Sequence, residues 1–360
     1  MRVGLVISGN LQTLTGGTLY DRILVDDLRR RGHRVTLFPL PTGQGYARQL
    51  TANLSRSLFS KVAHDAPDIL LEDGLCHPAL FLQNKRLRAV VKGPIVALLH
   101  QVLSRQPRPN WQNTAYGLVE KRYLQSVDAC IFNSRTTREA AGAAGAPDVP
   151  AIIARPAGDR LGTVASSASV SVRARKIGPL RLLFLANVLP HKGLHRLVDA
   201  LAAVSLRMWH LTVVGSLTMD SAYAQHVMAR VTARGLSRNI RFLGARDGPE
   251  LSGILTKSHL LVLPYSHEAF GIVFLEGMAF ALPAVGSTIG AAREIIRHGE
   301  NGFLVEPGNL TEPARIVKDL FTDRDRLEAM SHKALETFRG SPGWRDTMEK
   351  IHVFLKKLME

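Results

Sequence analysis

The chain has 360 residues, 46% of them hydrophobic and 21% charged. That is too long for one ordinary core and too apolar for disorder, so two folded domains are expected. Two cysteines, Cys76 and Cys130, stand outside any CxxC pattern, which excludes a disulfide framework or thiolate zinc site and fits a reducing, cytoplasmic setting. The net charge of +16 is lopsided: up to Lys176 there are 24 Lys and Arg against 12 Asp and Glu, and afterwards 22 against 18. The basic first half attracts anions. Aromatics are only 6% and no zinc, RNP or helix-turn-helix pattern appears, so nucleic acid is not the expected partner.

In chain order, MRVGLVIS reads as a strand, and its quick turn at Gly9-Asn10 does not suit a signal peptide. No apolar run reaches about 18 residues, so no transmembrane helix is expected. A glycine-containing loop, NLQTLTGGT, leads to a helix, LYDRILVDDLRRRG, and then to the strand HRVTLFPL. QGYARQLTANLSRSLFSKVAH places Tyr46, Leu50, Leu54, Leu58 and Val62 at helical spacing among Arg48, Arg56 and Lys61. Such a helix either covers a core or rests on an anionic membrane, and both readings stand. DILLEDG, PIVALLH and ACIFNS follow as buried strands.

Strands alternating with helices imply βαβ units and a parallel sheet. Ligands of such sheets lie beyond the strands' carboxyl ends, where Gly16, Gly17, His100, Asn133 and Ser134 should gather. The small, polar, basic stretch LGTVASSASVSVRARKIG, residues 161–178, reads as a linker. A second alternation begins with PLRLLFLAN and continues through WHLTVVGS, IRFLGA, HLLVLPY, PAVGS and GFLVEPG. A closing amphipathic helix over about 344–359 follows Gly340-Ser341-Pro342-Gly343. The expected class is therefore α/β, with domains at 1–160 (joined by 344–360) and 179–343.

HEAFGIVFLEGMAFALPAVGS carries two carboxylates, Glu268 and Glu276, with seven residues between them. Pro283 cannot sit inside a continuing helix, so GIVFLEGMAFAL is read as a helix of about three turns. It is apolar on every face and therefore buried. A buried carboxylate needs donors: an Arg or backbone amides could supply them at Glu276, and so could the hydroxyls of a ligand. The amides of Gly271, Ile272 and Val273 would be the free N–H groups of a helix start, which favour phosphate. A ligand with hydroxyls at both ends and phosphates between them, such as a nucleotide sugar, fits this pattern. An ion pair at Glu276 with a solvated Glu268 fits the spacing as well.

LPYSHEAFGIVFLEGMAFALPAVGSTIGAAREIIRHGENGFLVEPGN resembles the signature region of the retaining GT-B glycosyltransferases of family four. Glu268, Phe270, Gly271, Glu276, Pro283, Gly290, Glu294, Asn301 and Gly302 fall in register with that family's E-x(7)-E motif and the loop and strand behind it. LFLANVLPHKGLHRLVDAL resembles the segment whose lysine meets the donor diphosphate, which puts that role on Lys192. TGGTLYDRILVDDLRRRGHRV resembles the opening glycine loop, with Gly16 and Gly17 near the phosphate and the acceptor. IVALLHQ places His100 on a histidine facing the donor sugar. The chain departs from the family at Asn187, where an arginine usually stands five positions before the lysine.

The resemblance implies a GT-B fold: two Rossmann-like domains facing a central cleft, with a carboxyl-terminal helix crossing back to the first. It also implies a retaining transfer from a nucleotide sugar to a hydroxyl acceptor, UDP-sugar being favoured and GDP-mannose the second candidate. Glu268, His100 and Lys192 would be the catalytic residues. Glu276, Phe270, Gly271, Ile272, Val273, Gly16, Gly17 and Asn187 would line the donor. No DxD pair follows a strand in a donor-like setting, so no metal or other cofactor is expected. The acceptor could be a glycan, a small molecule or a lipid-linked sugar, and the basic first domain could contact the inner face of a membrane. Two other classes remain open: a phosphorylase or epimerase on the same fold, and a sugar-nucleotide binder without turnover.

Overall fold

The structure is a computed structural model. It describes the chain except residues 14, 42–44, 107, 163, 266 and 267, so Leu14, Gln44, Thr163, Ser266 and His267 of the stretches above lie outside the described residues. It divides into two compact units, residues 1–156 with 344–360 and residues 157–343.

The first unit holds a six-stranded sheet of β1 (Arg2–Ser8), β2 (Arg34–Leu40), β3 (Ile69–Asp73), β4 (Ile95–Leu99), β5 (Ala129–Phe132) and β6 (Ala151–Ile153). All are parallel, in the order β2-β1-β3-β4-β5-β6. Every residue of β3, β4 and β5 is buried, as a parallel sheet covered on both faces requires. The three-residue edge strand β6 is too short and too exposed to stand out in the sequence.

The second unit repeats the theme with β7 (Leu180–Leu185), β8 (Trp209–Val214), β9 (Ile240–Gly244), β10 (Leu260–Val262), β11 (Ala284–Ser287) and β12 (Gly302–Val305). Its order is β12-β11-β10-β7-β8-β9, again all parallel. The chain reverses direction across the sheet between β1 and β3 in the first unit, and between β7 and β10 in the second. Such switch points open a crevice at the strands' carboxyl ends.

Four expectations need correction. Gly16 and Gly17 are not loop residues but the first turn of the helix Gly16–Arg30, which Thr15 and Thr18 cap reciprocally, a box typically worth about 1 kcal/mol. The helix read from Tyr46 to Val62 is two helices, Gly45–Thr51 and Ser57–Asp65. Asn53 interrupts it, with its amide bonded to the Leu50 and Pro78 carbonyls. Tyr46 turns onto Tyr116, ring centroids 3.9 Å apart, and Leu58 and Val62 are buried.

The expected linker, 161–178, contains the helix Ser167–Arg175, capped by Ser166. Val170 packs with Ala281 and Leu335. Arg173 donates to the carbonyls of Phe280 and Ala281, each at 2.8 Å, closing the end of the helix Ile272–Ala279 as cations do at helix C-termini. Few apolar residues suffice there because Arg173 and two small contacts do the anchoring. Finally, that helix spans eight residues, and the chain turns away from it at Ala281, whose φ is +56°. It is shorter than the three turns read from the sequence.

The closing helix, Trp344–Lys357, belongs to the first unit. Trp344 packs edge-on against Tyr20 at 5.6 Å, and Arg31 pairs with Glu349 at 2.6 Å. Thr347 donates to the Arg155 carbonyl at 2.6 Å.

Candidate active site

In the second unit the loops after β7 and β10 leave the two strands that flank the switch point. The first carries Lys192 and the second Glu268, and they meet: Lys192 Nζ donates to Glu268 Oε1 at 2.6 Å. Both side chains are partly open, 18% and 15% exposed. Two glycines make the meeting possible. Gly193 turns at φ +69°, and a Cβ there would stand 2.5 Å from Tyr265 Cβ. Gly290 bridges to the backbone of Glu268, and a Cβ there would stand 2.4 Å from the Glu268 carbonyl oxygen.

Just beyond Glu268, Phe270 is buried, and Gly271 starts the helix Ile272–Ala279 in a left-handed conformation with no side-chain cap. The helix start at Gly271, Ile272 and Val273 therefore lies next to the Lys192–Glu268 pair, and its N–H dipoles favour an anion there. Five residues on from Gly271, about 7 Å along the axis, Glu276 is 2% exposed. Its partner is Arg160, whose Nε donates to Oε1 while Nη1 reaches Asp247. Burial pushes the Glu276 carboxyl above its ordinary pKa and Arg160 opposes that rise. Of the two readings the sequence left open for Glu276, the ion pair is the one present here. Asn187, at the family's arginine position, accepts the Ser216 N–H at 2.9 Å through Oδ1. That side chain helps hold the loop after β8.

The first unit builds a different cluster at its own switch point. Gly17 lies beneath the His100 ring, where a Cβ would stand 3.3 Å from Cδ2. Asn133 donates to the His100 carbonyl at 2.7 Å. His100 Nε2 donates to Asp21 Oδ1 at 2.7 Å, and Tyr20 stands edge-on to the ring at 5.2 Å. Asp73, at the end of β3, brings a ligand-capable oxygen within 4.8 Å of theirs. Burial works against the imidazolium, but Asp21, by charge and hydrogen bond, and then Asp73 raise the His100 pKa to about 9. Burial and the Asp21 carboxylate push Asp73 up to about 6, against the pull of His100.

Sequence reading missed three of these partners. Asp21 was legible as an acid on the inward face of an amphipathic helix, and Asp73 as an acid at a strand end. Arg160, distant from Glu276 in sequence, left no signal beyond the need of a buried acid for a donor.

The family model described as glycosyl transferases group 1 matches residues 171–337, which lie within the second unit. The D-rhamnosyltransferase WbpZ of Pseudomonas aeruginosa is 33% identical over 168 residues, 46% of this chain and 42% of that protein. A glycogen synthase of Mycobacterium tuberculosis is 27% identical over 176 residues, 49% of this chain and 42% of its own. The matched part thus spans less than half the length of these relatives. Among solved structures, Anabaena HepE in complex with UDP-glucose superposes with a TM-score of 0.80 at 21% identity, over 99% of this chain and 100% of that one. Sucrose-phosphate synthase of Thermosynechococcus elongatus gives 0.84 at 17%, over 99% and 98%. Likeness of fold runs along the whole chain and likeness of sequence along the second unit: the chain has the GT-B fold of two Rossmann-like domains, and within its second unit residues 171–337 match the glycosyl transferases group 1 model.

Proposed function

We propose that the protein transfers a sugar from a nucleoside diphosphate sugar to a hydroxyl acceptor, with retention at the anomeric carbon. The observation that carries this reading is the Lys192–Glu268 contact at the second switch point, set against an uncapped helix start with Glu276 further along. The complex of HepE with UDP-glucose supports a UDP-sugar as the first donor to try. A GDP-mannose-dependent mannosyltransferase of M. tuberculosis, 26% identical over 181 residues, keeps GDP-mannose as the second.

In this reading the bond between C1 of the sugar and the phosphate oxygen breaks with its electron pair leaving on the diphosphate. Lys192 and the N–H groups at the start of the helix stabilise that growing charge, an interaction stronger in the transition state than before it. The acceptor oxygen bonds to C1 from the same face, and its proton passes to a donor phosphate oxygen. Glu268, released by Lys192 when phosphate arrives, accepts from sugar hydroxyls; Glu276 accepts from the ribose. His100 is read as a contact to the transferring sugar.

This chemistry is assigned no metal. Asp21, Asp73 and His100 have the spacing of a cation site; here His100 Nε2 faces Asp21 Oδ1, and the two carboxylates favour the protonated ring.

The first unit also presents Leu54, 77% exposed, beside Leu82, 53% exposed, the Leu82 N–H donating to Asn53 Oδ1 at 3.0 Å. Exposed Arg48, Arg56, Lys85 and Arg86 belong to the same segments. An apolar pair among cations suits an anionic lipid surface, and a lipid-linked acceptor is read from it. Among the described residues no helix is long and apolar enough to cross a membrane.

Calorimetric titration with UDP, GDP and ADP, on the natural protein and on Glu276→Ala, tests the donor site. Binding of one nucleotide that weakens in the variant is expected, followed by turnover of the matching sugar nucleotide. Binding without turnover on any acceptor would favour the non-catalytic binder. Sugar 1-phosphate released by inorganic phosphate would favour the phosphorylase.

A further inference from the structure

Glu276 must find its donor away from its own helix, and residues 157–160 bring it. Gly158 lets this stretch of backbone lie directly on the helix Ile272–Ala279: a Cβ there would stand 2.5 Å from the Leu275 carbonyl carbon and 2.7 Å from the Glu276 nitrogen. Two residues later Arg160 grips two acids at once, Nε on Glu276 Oε1 and Nη1 on Asp247 Oδ1. Asp247 is itself fixed, since Oδ1 also accepts the Gly248 N–H at 2.8 Å at the start of the helix Gly248–Lys257. The planar fork of a guanidinium can satisfy both acids in one orientation, whereas an ammonium would serve as a point charge. Among the described residues the hydrogen bond to Glu276 is made at Oε1, and Oε2 receives none.

From this geometry we propose that Arg160 is a positioning residue for nucleotide recognition: it fixes Glu276 through Oε1 and leaves Oε2 to accept the vicinal hydroxyls of a ribose. Arg160 thereby sets how well the protein tells a ribonucleotide from its deoxy counterpart. The inference rests on the nucleotide-sugar reading above and deepens it. The charged groups facing Glu276 are Arg160, from residues 157–160, and Asp247, from the helix behind it. Burial raises the Glu276 carboxyl, Arg160 holds it back, and Asp247 adds to the rise. Without Arg160 the carboxyl would take up a proton at higher pH, and one of its two acceptor oxygens would become a donor.

The test compares UDP with 2′-deoxy-UDP by calorimetry, and GDP and ADP with their deoxy forms, across a pH series from mildly acidic to mildly alkaline. The phosphates are common to each pair, so the ratio of the two dissociation constants isolates the sugar. The natural protein is expected to prefer the ribonucleotide by about tenfold or more, the worth of a hydrogen bond to a charged group. Arg160→Gln should bring that ratio close to one at neutral pH and restore part of it as pH rises. Arg160→Lys should lie between. Gly158→Ala keeps the charge but lifts the backbone from the helix, and should lower the ratio too; melting curves identify any variant that fails to fold. An undiminished ratio in a folded Arg160→Gln would overturn the proposal while leaving the nucleotide site intact. Absence of binding by the natural protein to UDP, GDP and ADP alike would instead overturn the nucleotide reading itself, and the proposal with it.

Discussion

The two units place ionisable groups at their switch points in opposite ways. In the first, Asp21, Asp73 and His100 are sealed, each less than one-tenth exposed. In the second, Lys192 and Glu268 pair where water still reaches them. Burial decides what each can do. A sealed pair cannot exchange its partner without leaving a charge in a low dielectric, so it keeps its geometry and protonation. A pair that water still reaches is screened more and held less tightly, so either partner can release the other to take a ligand. The first cluster is built as a fixed charge and the second as a place of exchange.

Removing one partner from each pair is the hardest blow to this contrast. Asp21→Asn leaves the His100 imidazolium buried beside a neutral amide and should cost about 3–5 kcal/mol of stability, seen as a lowered denaturant midpoint. A folded variant with an unchanged midpoint would show that the first cluster is no more sealed than the second.

The matching change in the second unit, Lys192→Ala, should move stability by less than about 1 kcal/mol. Its loss should appear in catalysis: about 10²–10³-fold in kcat, the usual worth of a group that stabilises a leaving anion. Lys192→Arg should recover part of the rate. Normal turnover in Lys192→Ala would remove the lysine from the chemistry and leave the pair as a loop clamp.

Much of this was legible in the sequence because apolar runs and glycines follow backbone rules. Every strand but β6 coincides with an apolar stretch, and the two glutamates stood out because a carboxylate inside IVFLEGMAFAL has no cheap resting place. Which distant segments pair was not legible. Nothing near Glu276 in sequence announces Arg160, and although Asp21 could be read as an inward acid, nothing near His100 announces their pairing. The helix Ser167–Arg175 was missed for a related reason: Arg173 secures it by capping another helix, an interaction that hydrophobic periodicity does not record.

The contrast also has a pH signature. His100 has its pKa raised to about 9 from an ordinary 6.5, so its contribution is fully present below pH 6.5 and is lost as pH rises through 9. The shift amounts to about 3 kcal/mol. Glu72, buried in β3 and pushed up to about 8 by burial against Asn84's opposing hydrogen bond, acts in the same direction. It holds its proton in the fold and loses stability between about 4.5 and 8. In the second unit His259 is lowered to about 3, by burial and by the charge of Arg181. Its Nδ1 accepts the Arg181 N–H at 2.8 Å, and Nε2 keeps the proton, 3.0 Å from the Arg173 carbonyl. Stability from that neutral ring is fully present above pH 6.5 and lost as pH falls toward 3. Hydrogen exchange followed segment by segment should therefore show the segments around His100 and Glu72 loosening as pH rises and the segment around His259 loosening as pH falls. The opposite order would contradict the assignment, and Glu72→Gln should flatten the rise-of-pH limb around β3.

The smallest expected effect separates the units by surface rather than by core. Leu54 and Leu82 stand exposed among Arg48, Arg56, Lys85 and Arg86, and neither side chain supports the fold. Leu54→Ser should leave the melting temperature nearly unchanged, since exposed substitutions usually stay within about 0.5 kcal/mol. Burying one leucine is worth about 1.5–3 kcal/mol, so the same change should weaken partition onto vesicles with anionic lipid by about tenfold or more. Raising salt should weaken it further, because the basic residues act through a screened field. Vesicles of neutral lipid separate the two contributions. If the natural protein binds neutral and anionic vesicles equally, or neither, the positive surface of the first unit has no role at a membrane, and the acceptor must be sought among soluble hydroxyl compounds.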